Sequence, residues 1–140
     1  MTLEFRIGYI DFALFERLVE KHQDAGKYYQ PAKAINQANM KGDMRAHFGF
    51  SGRMNKLWNT PEFRAKYPEL PLELSYFNCH LMLPGDITIN STRAYDLDPI
   101  NAEDLTRAES MTRKQDWAIW RFMRDNVPVF KHSQIVDTGT

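Results

Sequence analysis

Cys79 and His80 stand side by side, the residue types that a thiolate nucleophile and its base require. Neighbouring residues of a strand point to opposite faces, so the two groups do not meet, and a small buried thiol is the ordinary use of such a cysteine. His22, His47, His80 and His132 are scattered without the short spacings of zinc sites, so no metal is expected. Gly49-Phe50-Ser51-Gly52 followed by Arg53 has the form of a loop that clamps a nucleic-acid backbone, but with zero net charge and a poorly formed two-helix context, turn glycines are the far commoner reading. Asn90-Ser91-Thr92 matches a glycosylation sequon inside an expected strand, where it reads as accidental.

The densest chemistry is a set of neutral hydrogen-bonding groups. Tyr76, Asn78, His80, Asn90 and Thr92, with Met82 and Thr88, fall on one face of an expected hairpin over about 72–97. Such a face can line a ligand cavity, or it can be the solvent side of an antiparallel sheet. Arg93 continues the apolar row of Ile87 and Ile89. It either reaches solvent along its stem or is partly buried and needs an anionic partner.

Those residues need a sheet to hold them. The hairpin turns at Pro84-Gly85-Asp86, and setting Leu83 opposite Ile87 pairs Leu81 with Ile89, Cys79 with Ser91 and Phe77 with Arg93. Leu3, Phe5, Ile7 and Tyr9 alternate with polar residues, giving an opening strand with one buried face. Asp11 can cap a following helix, a second helix is expected from Pro31 to Gly42, and Thr60-Pro61-Glu62-Phe63 reads as a short capped helix. The path between 43 and 71 is otherwise not legible, because five glycines and prolines interrupt it.

The longest helix is expected over 102–126, opened by Asn101 and Asp104 as an approximate capping box and stopped by Pro128. Its inward stripe would be Leu105, Ala108, Met111, Gln115, Ala118, Ile119, Phe122 and Met123. A short strand at Ser133–Asp137 ends the pattern. The fold class is α+β, one domain over 1–140: an antiparallel sheet packed with several helices.

Composition bounds the functions. In a chain of 140 residues, 43% hydrophobic and 13% aromatic side chains support a packed core. Eighteen basic residues balance eighteen acidic ones, so no long-range field draws in nucleic acid. One cysteine permits no internal disulfide, which points to a reducing, cytoplasmic setting. No apolar run reaches the roughly 20 residues of a membrane span, and the first residues lack a signal-peptide pattern.

The run Ile89-Asn90-Ser91-Thr92-Arg93, then Asp98 and Ala102-Glu103-Asp104-Leu105-Thr106-Arg107-Ala108-Glu109, resembles the interior of a family of FAD-dependent oxidoreductases. Leu3-Glu4-Phe5-Arg6-Ile7-Gly8 near the start, and Val127-Pro128 and Val136-Asp137-Thr138 near the end, fall in matching order. In that family a G-x-G-x-x-G region holds the FAD pyrophosphate. This sequence has no such motif, nor the later Gly-, Arg- and Glu-rich flavin segment. The resemblance therefore implies the inserted substrate-side domain, covering a flavin bound by another domain of a longer chain. It implies a small-molecule substrate lying against Tyr76, Asn78, Asn90, Thr92 and Arg93, with His80 suited by its chemistry to proton transfer. Apolar surface meant for the flavin domain would drive self-association if left uncovered. The alternative is a free-standing α+β ligand-binding or interaction module without catalysis.

Overall fold

The computed structural model describes residues 1–11, 13–15, 17, 45–47, 58–71, 78–83 and 85–139, the strands at 45–47 and 78–83 as backbone. The expected helix from Pro31 to Gly42, the Gly49–Gly52 loop, Tyr76 and Phe77 lie outside the described residues.

Alternation over the first residues produces strand β1, Phe5–Gly8, with Phe5 and Ile7 fully buried. The strand ends because Tyr9 takes φ 64, which turns its ring into solvent at 73% exposure. The inward position expected for Tyr9 passes to Ile10, which is buried. Asp11 accepts a hydrogen bond from the Leu14 amide at 3.0 Å and caps a helical turn at 13–15. Strand β2, Arg45–His47, comes from the stretch whose path was not legible. Helix α1, Pro61–Lys66, is capped by Thr60 and has proline in its first turn, as its sequence implies.

Strands β3, Asn78–Leu83, and β4, Asp86–Asn90, form the hairpin. Leu81 pairs with Ile87 and Cys79 with Ile89, two residues away from the expected register. Gly85 takes φ 89 and leaves only Pro84 and Gly85 between Leu83 and Asp86, so the loop is shorter than a three-residue turn. An irregularity between Leu81 and Leu83 absorbs the remaining residue. A shift of two preserves parity, so Ile87 and Ile89 keep their buried face. Strand β4 stops at Asn90, and residues 91–97 form no strand.

Helix α2 spans Ala102–Asn126, and strand β5, Gln134–Thr138, closes the described sequence of elements. The Asn101 carboxamide accepts from the Glu103 and Asp104 amides. The capping box is only half made, because Asp104 accepts from the Asp98 amide instead of reaching back to Asn101. Pro128 ends α2 in a single 3₁₀ turn, Pro128–Phe130.

The sheet is antiparallel with order β2-β3-β4-β1-β5. Phe5, Ile7, Ile87 and Ile89 join Ile119, Phe122 and Met123 of α2 in one core. Each such side chain contributes roughly 1.5–3 kcal/mol through burial. Phe122 is the hub for aromatic packing, with Trp58, Phe63 and Tyr67 all edge-on to its ring. Leu105 and Met111, expected inward, are 43% and 38% exposed. The inward positions of that half of the helix are filled by Ala108, Thr112, Gln115 and Asp116. No helix among the described residues is long and apolar enough to cross a membrane.

Candidate functional site

One sheet face is taken by the core. On the other, Arg6 of β1 stands opposite Thr88 of β4, and Thr88 stands opposite His80 of β3. Asn78 stands opposite Asn90 at the next position of the same parity. The ladder thus gathers His80, Asn78 and Asn90 at adjoining positions, as the sequence suggested. Thr88 and Asn90 are half-exposed, and the Asn90 carboxamide donates to Glu4 Oε1 at 2.9 Å. Arg6 lies 4.0 Å from Asp86, while its Nε is buried without a hydrogen-bond partner among the described residues. Glu4, Arg6, Thr88 and Asp137 border a shallow hollow of about 230 Å³ on this side.

Thr92 does not belong to that surface. It is fully buried, and its hydroxyl both accepts from the Leu3 amide and donates to the Leu3 carbonyl, each at 2.7 Å. The hydroxyl expected to meet a ligand is instead spent in clasping the segment after β4 to the chain's first residues. The reason is local: β4 has ended, and the irregular backbone that follows needs side-chain partners.

Arg93 follows directly. It is half-buried, and its guanidinium donates to the Thr92 carbonyl at 2.6 Å and to Asn90 Oδ1 at 3.4 Å. Its backbone is held by Gln115, which accepts from the Arg93 amide at 2.7 Å and donates to the Arg93 carbonyl at 2.8 Å. Gln115 looked like an interruption in an apolar stripe. Its position facing a non-strand segment makes it a backbone surrogate.

Arg93 also borders an open cleft of about 490 Å³ between α2 and residues 68–71. Tyr95, Arg107, Met111 and Lys114 border it too. Arg107, Met111 and Lys114 are spaced i, i+4, i+7 along one flank of α2. Farther along that flank, charged groups are matched by the α1 region: Arg121 lies 3.7 Å from Glu69, and Asp125 accepts from the Tyr67 hydroxyl at 2.6 Å. The Tyr67 hydrogen bond, helped by Arg124 and Lys66, holds the Asp125 carboxyl below its ordinary range.

On the opposite flank Asp116 is fully buried, and neither carboxylate oxygen has a hydrogen-bond partner among the described residues. Burial pushes its pKa from near 3.8 up to about 8, against a smaller opposing pull from Arg113. The Ser91 hydroxyl is likewise buried without a partner. Residue type assigns an aspartate to the surface, yet position 116 lies one turn from Thr112 and three residues before Ile119, inside the inward stripe.

Among the described residues no group of three His, Cys, Asp or Glu side chains is placed to hold a metal. No protein-family model matches the chain, and no curated protein or solved structure is significantly similar to it.

Proposed function

We propose that this chain is the substrate-side domain of an FAD-dependent oxidoreductase, covering the flavin and presenting the polar sheet face to a small-molecule substrate. The observation that carries the reading is the two-sidedness of the sheet. Helix α2 and the core cover one face, while Arg6, Thr88 and Asn90 remain half-buried or half-exposed on the other. A polar ladder left partly exposed among the described residues is suited to lie over a ring system and a polar substrate. The supporting resemblance lies in residues 89–109 and the two ends of the chain.

Among the described residues, the start of α2 does not fit the dinucleotide. The amides at the start of α2 are already engaged by Asn101, and Glu103 and Asp104 in that first turn repel a pyrophosphate. The FAD would be held by sequence outside this domain, and it would supply the redox chemistry. This chain's part is binding and proton handling. Tyr76, Asn78 and Asn90 bind the substrate, Arg93 receives an anionic group, and His80 moves the proton.

Replacing His80 by Gln in the flavin-loaded enzyme that contains this domain tests the assignment. Substrate-driven flavin reduction is expected to slow by about 100-fold or more, the scale of a lost general acid or base, with flavin content retained. An unchanged reduction rate would remove His80 from the mechanism. The coding sequence around this domain is expected to carry G-x-G-x-x-G in the same frame.

A further inference from the structure

We infer that the cleft between α2 and residues 68–71 is a binding site for a small organic anion with an apolar body. The site lies along the flank of α2 and shares Arg93 with the proposed substrate face, but its test with small probes does not depend on the flavin reading. Three cations border it: Arg93, Arg107 and Lys114. Arg107 is shared with Asp104 at 3.0 Å along its own helix, and no acidic side chain among the described residues pairs with Lys114.

The charge pattern along α2 sets this end apart. Where the α1 region lies against the flank, Glu69 answers Arg121 and Tyr67 holds Asp125. Glu69 is the only acidic residue of the described stretch 68–71; it borders the cleft but lies 3.7 Å from Arg121. The flank continues with Lys114 and Arg107 beside open volume. No described acidic residue answers Lys114, and an anion entering there does.

The rest of the wall sets Glu69, Ser110 and Gln115 beside an apolar part. Leu70 and Pro71 are buried at one side, while Met111 and Tyr95 stay 38% and 57% exposed at the other. Cations around such a floor select a carboxylate or phosphate carried on a flat hydrophobic group over a bare inorganic ion. Gln115 fixes the Arg93 backbone, and the Arg93 guanidinium is held by the Thr92 carbonyl and Asn90 Oδ1, so one cation of the set is preorganised.

Calorimetric titration of the 140-residue chain with phenylacetate, phenyl phosphate, acetate and inorganic phosphate tests this, with amide and methyl chemical shifts locating the bound probe. At least one of the two phenyl-bearing probes is expected to saturate in the millimolar range and to shift Met111 and Tyr95 signals. Lys114→Gln is expected to weaken that binding about three- to fivefold, the worth of one partly exposed charge pair. Lys114→Glu is expected to weaken it further, whereas Lys131→Glu, at an exposed position away from the cleft, leaves it unchanged. Three outcomes overturn the inference: no saturation by any probe up to roughly 10 mM, acetate or phosphate binding as tightly as its phenyl counterpart, or equal losses from Lys114→Glu and Lys131→Glu.

Discussion

Asp116 is the residue with the clearest individual consequence. Its carboxyl is neutral in the folded protein until about pH 8 but ionises near 3.8 when the chain unfolds. Between those values the folded state binds the extra proton, so stability falls as pH rises, by up to ~1.4 kcal/mol per pH unit. The contribution is fully present below about pH 4 and lost once the pH passes the folded value. Asp116→Asn cannot ionise and is expected to remove this slope. Thermal melts of the two proteins should nearly coincide at pH 4 and separate by pH 8, with the asparagine variant melting higher. Parallel melting curves across that range would mean that Asp116 is charged in the fold. Ser91, also buried without a partner among the described residues, contributes no such slope, because its hydroxyl does not titrate in this range.

At the scale of elements, Gly8 at the end of β1 has no room for a side chain. A Cβ there would come within 2.6 Å of Val136 Cγ2 and 2.9 Å of Asp86 Oδ1. Gly8→Ala must push β5 away or disturb the Arg6–Asp86 pair, at an expected cost of about 1–3 kcal/mol in denaturant unfolding. The N-terminus of α2 makes a milder test. Asn101→Ala removes an acceptor for two amides and is expected to cost about 1 kcal/mol. Helix α2 was legible because its signals are local: a cap at Asn101, a breaker at Pro128 and a long periodic stretch between them. The hairpin register was not, because it depends on Gly85 taking positive φ and on the irregularity beside Leu81. Parity survived, which is why Asn78, His80 and Asn90 keep register positions of one parity even while their expected partners were misplaced. Thr92 was misjudged for the same reason that Gln115 was undervalued: neither the end of β4 nor the needs of the backbone beyond it are written in side-chain alternation.

For the molecule as a whole, the α1 region, α2 and the sheet meet at Phe122. Trp58, Phe63 and Tyr67 all contact its ring, and Phe122 lies in the same core as Phe5 and Ile89. Phe122→Ala is expected to cost about 3–5 kcal/mol in chemical unfolding and to loosen the wall of the cleft formed by residues 68–71. The two-layer arrangement also separates the proposed tasks. The sheet face offers polar groups to a substrate, while the helical flank presents cations toward a cleft. Arg93 borders the cleft and also touches Asn90, so occupancy of one region can be felt at the other through its side chain.

The order of the strands has a consequence for amide exchange in heavy water. Strand β1 has neighbours on both sides, β4 and β5, whereas β5 is paired among the described residues only with β1. Its outward amides have no strand among the described residues to protect them, so along Gln134–Thr138 deuterium should enter in a roughly alternating rhythm. The bulge opposite Arg6 and Ile7 should break that rhythm at one point. The same border is blunted against adding a foreign strand by that irregularity and by the exposed carboxylate of Asp137, leaving Val136, 45% exposed, as its main sticky position.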